Sequence, residues 1–263
     1  MTLALVSPYS SFESSNIGFI PPISDESLKL WHFFGSKSGA LGKNLAMGGG
    51  DSMIVGSPVV SERYVSLVGA KDYLQSAVTQ PASFTQFAVA RSPQTNPNNL
   101  PYVPHPFVLS TYRAPRAGDP NVPSIGASIY FNQPPSAAGN ANGAVSGVAG
   151  SWSGVAGSDG NAVGGTSLQV DTTAWHMYAF IKDGRNRIFY NLTDNTVQVT
   201  AAPADQQDDL STQTFRIGSA YSDESAPIDL AHVSMYYRAF SVDEVSTMAA
   251  YLRKFYSKRG IAI

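Results

Sequence analysis

The chain has no cysteine anywhere in its 263 residues. Neither a disulfide framework nor a thiolate metal site is open to it, and cysteine usage says nothing about its redox compartment. Charge is scarce too: Asp, Glu, Lys and Arg supply 14% of residues, against roughly 25% in an ordinary soluble domain. Ser, Thr, Asn, Gln, Gly and Ala must therefore cover most of the surface. A formal net charge of −2, with no basic stripe ahead of the pairs Arg253-Lys254 and Lys258-Arg259, leaves no field to draw in a phosphate backbone, so no nucleic acid partner is expected. No run approaches the roughly 20 apolar residues of a membrane-crossing helix, which argues against membrane insertion. The opening residues lack a basic region and their apolar run breaks at Ser7-Pro8, so no signal peptide is expected.

What the chain does have is core material: 43% hydrophobic residues, with 13 Phe and 13 Tyr, enough to exclude wholesale disorder. Residues 1–27, punctuated by Pro8 and Pro21-Pro22, read as an N-terminal arm. From Leu28 onward, β-branched and aromatic residues alternate with polar ones at 28–34, 63–68, 73–78, 83–90, 107–112 and 124–131, as in half-buried strands. Strand-like runs resume at 167–171, 175–181, 187–191, 196–200, 215–218 and 230–237, with Asp183-Gly184 as a hairpin signal between two of them. Two stretches read as loop insertions: 92–106, with four prolines after Ser92-Pro93-Gln94, and 132–166, almost wholly Gly, Ala, Ser, Asn and Val around Trp152. One helix is expected near 241–258. Ser241 and Glu244 form a capping box, and Val245, Met248, Leu252 and Phe255 make one apolar stripe. Many strands, one helix and no βαβ alternation predict an all-β sandwich over 28–263.

Three stretches carry a resemblance. Trp175-His-Met-Tyr-Ala-Phe-Ile-Lys-Asp-Gly184 followed by Ile188-Phe-Tyr-Asn191, then Phe215-Arg-Ile-Gly218, then the run from Leu230 through Tyr237-Arg-Ala-Phe-Ser241 to Val245 resemble, in order and spacing, the corresponding segments of laminin-G-like domains. Residues 28–91 are similar to that family's opening half. The resemblance implies a concanavalin-like jelly-roll β-sandwich closed by one C-terminal α-helix. Leu192 stands where the family usually has Gly, and Ala231 where an acidic residue commonly follows, so no family-type calcium site carries over.

No Glu-x-Asp-x-Glu strand supplies the paired carboxylates of a glycosidase. The acidic clusters Asp205/Asp208/Asp209 and Asp223-Glu224 read as solvated loops, and His32, His105, His176 and His232 are scattered, with His176 and His232 read as structural. Gly150-Ser-Trp-Ser-Gly154 brings to mind a nucleophile elbow, but Trp152 stands where that pattern has its Ser and the strand-turn-helix context is missing. No catalytic residue, metal site or cofactor is expected, with calcium as the one ion that Asp171, Asp183 or Asp229 could take. Ligand contacts are expected from aromatics in or beside the loops, Trp152, Tyr102 and Tyr112, with Asn140, Asn142 and Asp159 nearby. The expected function is a non-enzymatic structural or binding protein. Its first form is a bacteriophage virion component, a capsid decoration, baseplate or tail module contacting other virion subunits or copies of itself and assembled in the host cytoplasm. The alternatives are a carbohydrate-binding module for cell-surface glycan and a polysaccharide-degrading enzyme.

Overall fold

A computed structural model describes residues 20–36 and 38–263. The opening 19 residues of the expected arm lie outside the described residues. The first elements are β1 Leu28–Phe33, β2 Met53–Val55, β3 Val59–Val60, β4 Val65–Val68, β5 Tyr73–Thr79 and β6 Phe84–Arg91. Next come β7 Phe107–Ser110, β8 Pro115–Arg116, β9 Asp119–Pro123, β10 Ala127–Gln133, β11 Gly143–Trp152 and β12 Gly160–Val170. The chain closes with β13 His176–Asp183, β14 Asn186–Asn191, β15 Thr196–Ala201, β16 Gln207–Asp208, β17 Thr214–Ile217, β18 Pro227–Tyr236 and α1 Val242–Ser257.

These strands make two large antiparallel sheets. One runs β15-β14-β13-β6-β18-β4-β3, with β1 also on β18; the other runs β12-β11-β10-β7-β17-β5-β2, with β16 also on β11. Between them lies the main core, including Leu74, Phe84, Val108, Ile129, Phe131, Phe180, Phe215, Ile217 and Leu230. The first sheet is covered on its other face as well. Trp31, Phe87, Val89, Met177 and Tyr236 form a second core with Val245, Met248, Leu252 and Tyr256 of α1. Coverage on both faces explains why β6 and β13 are buried almost throughout instead of alternating. By contrast β5, with one free face, buries only Leu74, Ser76 and Val78. Among the described residues no helix covers the outer face of the second sheet, which is called the open sheet below.

The helix starts as its sequence predicts. Ser241 Oγ accepts the Glu244 N–H at 3.3 Å and the Glu244 carboxylate accepts the Ser241 N–H at 2.9 Å. The same carboxylate receives Arg238, whose guanidinium also reaches Asp25 at 2.9 Å. Residues 20–27 of the expected arm are thereby tied down, and the Tyr236 hydroxyl adds a bond to the Ile23 carbonyl at 2.9 Å.

The stretch 132–166 departs from expectation: instead of one loop insertion, it contributes the paired strands β11 and β12, in register from Ala144↔Leu168 to Trp152↔Gly160. Its small residues reflect close packing, not slackness. A Cβ on Gly147 would stand 2.4 Å from a ring carbon of Phe189 and 2.8 Å from one of Phe180. Bulk from the facing sheet fills the space that β-branched side chains would otherwise occupy.

The acidic run 205–209 also departs from expectation. Asp209 is fully buried against Arg116, with Nε 2.7 Å from Oδ1, and accepts the Ile125 N–H at 2.8 Å. Asp208 receives the buried Lys182 at 2.7 Å and the buried Arg187 at 3.2 Å. Desolvation lowers the pKa of both cations, and Asp208 opposes that shift. A sequence reading misses this because the partners lie 21 to 93 residues away.

Candidate binding groove on the open sheet

Directly opposed residues on neighbouring strands project to the same face. On the open sheet one such row passes from Val148 on β11 to Ser128 on β10, Ser110 on β7, Arg216 on β17 and Gln75 on β5. Ile129 and Phe131, one position either side of Tyr130, point into the core, so Ser128 and Tyr130 face outward. Ser110 and Ser128 share a hydroxyl–hydroxyl bond of 2.7 Å. Beside this small-residue floor stand three near-parallel rings: Phe107 is 5.5 Å or so from both neighbours, 5.4 Å from Tyr130 and 5.6 Å from Tyr112. They bound a cleft of about 290 Å³.

One wall is polar. The Glu224 carboxylate, 13% exposed, accepts the Tyr102 hydroxyl at 2.7 Å and the His105 N–H at 2.8 Å, with the His105 ring nitrogen at 3.4 Å. That hydrogen bond to Glu224 raises the Tyr102 phenol above its ordinary pKa, while burial raises Tyr130. The His105 ring stands edge-on to both Tyr102 and Tyr130. Tyr102 and His105 also border a second hollow of about 280 Å³, lined by the amides of Asn96, Asn99, Asn132 and Gln133.

Of the residues expected to touch a ligand, Tyr102 and Tyr112 meet in this cleft and the other four do not. Trp152 is 8% exposed and lies under the Arg116 guanidinium, 4.4 Å from the ring centre, so it clamps the buried ion pair and offers no stacking face. Asn140 and Asn142 are exposed but bonded to Ser136 in the turn before β11. Asp159 is exposed in the turn before β12. Phe107, Tyr130, His105 and Glu224 went unnamed as ligand contacts. The alternation Ser128-Ile-Tyr-Phe131, with its polar members on one face, was the available signal for Tyr130.

The other constellations serve structure. Asp229 bonds Arg91 at 2.9 Å and Ser66 at 2.6 Å. Asp171 caps its own turn through Thr173. With Asp183 they form no three-ligand group, nor does any His, Asp or Glu set among the described residues. Ser151, next to Trp152, lies within β11 and donates to Gln206 at 2.6 Å. His32 and His232 are buried in the core.

No family model and no curated protein matches this chain. Solved structures do. It is similar to the botulinum neurotoxin serotype D binding domain, with TM-score 0.57 and 9% identity over 85% of this chain and 51% of that one. A receptor binding domain of the botulinum neurotoxin C/D mosaic serotype gives 0.56 and 10% over 85% and 51%. The binding domain of botulinum neurotoxin DC in complex with SialylT gives 0.54 and 10% over 86% and 51%. The chain thus spans about half the length of these structures, and at such identity the likeness establishes the β-sandwich fold.

Proposed function

We propose that this protein is a non-enzymatic carbohydrate-binding module whose ligand lies in the cleft on the open sheet. The observation that carries the reading is the pair of part-exposed rings Tyr130 and Tyr112, both packed against the buried Phe107, beside Ser128, with Glu224 and the amide-lined hollow next to it. Ring faces stack on the apolar faces of pyranoses, and fixed polar groups select hydroxyls. Glu224 is the one carboxylate lining the cleft among the described residues, whereas glycoside hydrolysis generally needs two flanking the bond. The similar structures are receptor-binding domains, one of them solved with SialylT, which is in keeping with this reading. The test is a glycan array probed with the wild type and with Tyr130→Ala. Hits that weaken at least about tenfold in the variant, with its unfolding midpoint kept, support the reading. A blank array overturns it.

A second reading, a subunit of a larger assembly such as a virion, has a different observation behind it. Met53, Ile54, Val59 and Val60 are 42–65% exposed at the ends of both sheets, an apolar margin that a second copy of this chain would cover. Sedimentation showing higher species that Val59→Lys dissolves would favour it, and a monomer at all concentrations would remove it.

A further inference from the structure

Arg216 stands beside the cleft, on the same outward row of the open sheet and directly opposite Ser110, whose hydroxyl meets the cleft-lining Ser128. Its guanidinium is held between two rings, 3.8 Å from the centre of Tyr221 and 4.6 Å from that of Tyr73. Nε donates to Gln75 at 3.1 Å and Nη1 to the Ala220 carbonyl at 2.8 Å. Both partners are neutral. No carboxylate pairs with Arg216 among the described residues, and its Nη2 makes no hydrogen bond among them. The loop carrying Tyr221 is fastened to the cleft itself, since the Tyr221 N–H donates to the Tyr112 carbonyl at 2.8 Å.

A half-buried guanidinium with an open donor and no counter-charge is an anion receptor. If Arg216 served only to hold the 219–221 turn, the Ala220 bond and the two rings would suffice, and nothing would require its charge to stay unpaired. Glu224 stands at the Tyr102–His105 wall and repels an anion there, so an acidic ligand can approach in one orientation. Resting on the carbohydrate reading above, we infer that the ligand is an acidic oligosaccharide. Arg216 Nη2 takes its carboxylate or sulfate oxygen, the rings of Tyr112 and Tyr130 carry the next sugar, and Glu224 accepts hydroxyls further along.

The experiment is an array bearing sialylated, uronate-containing, sulfated and neutral glycans. Titration calorimetry then follows with the strongest acidic hit and with the same glycan lacking its acidic group. Wild type should prefer the acidic form by at least about tenfold, and added salt should erode that preference. Arg216→Met keeps a stem beside the two tyrosines and should abolish the preference, the acidic form losing at least about tenfold more affinity than the neutral one. Arg216→Lys should restore part of it. Unfolding midpoints of both variants guard against loss of fold. Neutral hits alone, or a preference that survives in Arg216→Met, would overturn the inference and leave the carbohydrate reading intact. Acidic hits split between carboxylated and sulfated glycans identify which anion is read. A blank array overturns both conclusions together.

Discussion

Two buried histidines make stability fall on mild acidification, well above the range where carboxylates titrate. His32 and His232 are fully enclosed, with His232 Nδ1 2.8 Å from the His32 carbonyl and its ring 4.7 Å from that of Trp31. Burial lowers His32 from 6.5 to about 4, against the pull of Asp51, and lowers His232 to about 3, against its bond to His32. Both pKa values are depressed in the folded state, so the unfolded chain binds the extra protons. The stability they allow is complete above pH 6.5 and drains as pH falls toward the folded values. At pH 5 each unfolded imidazole is about 1.5 units below its pKa, which costs the fold about 2 kcal/mol apiece, or about 4 kcal/mol together. That is a large share of a typical 5–15 kcal/mol. Asp25, Asp51 and Glu244 are held below their ordinary values, so their loss begins only below about pH 4.5. Urea unfolding at pH 8 and pH 5 reads the difference. His232→Asn keeps a donor near the position of Nδ1 and removes one titration, and should halve the fall to about 2 kcal/mol. A wild-type difference under about 1 kcal/mol, or a variant as acid-sensitive as wild type, would refute the reasoning.

Three further outcomes are expected in urea unfolding at pH 8. Arg116→Met strands the Asp209 carboxylate, both fully buried, and should cost about 3–5 kcal/mol, most of it regained on adding Asp209→Leu. Gln86 is fully buried with neither end of its amide bonded among the described residues, between positions opposed to Phe180 and Met235. Gln86→Met should therefore stabilise by about 1 kcal/mol, and a loss would show that the amide is satisfied. Gly147→Val drives a side chain into Phe189 and Phe180 and should cost about 1–3 kcal/mol.

The sequence was most legible where local rules dominate. The helix falls at Val242–Ser257 with its capping box intact, and the hairpin expected around Asp183-Gly184 is β13 and β14. Periodicity located most other strands as well. It failed at β11 and at β12 ahead of the expected run at 167–171, because Gly147, Gly150 and Gly164 are chosen by what presses on them from another strand or sheet, and their own propensities argue against a strand. The site suffered in the same way. Whether an aromatic offers its face depends on register, which hid Trp152 beneath Arg116 and brought Tyr130 out beside Phe107. The pairing of Glu224 with Tyr102 and His105 spans about 120 residues, beyond the reach of any spacing argument.

The position of β18 in its sheet carries a consequence for how the chain is made. It lies near the middle of the helix-side sheet, bonded along one side to β6 and along the other to β4 and β1. Those partners are synthesised well over a hundred residues earlier and do not pair with one another, so the sheet has no centre until Pro227–Tyr236 emerges. Chain closure over such distances is slow. A nascent chain must therefore hold β1, β4 and β6 with open edges for most of its synthesis, and a ribosome-stalled chain ending before Pro227 should be protease-sensitive throughout its first 200 residues.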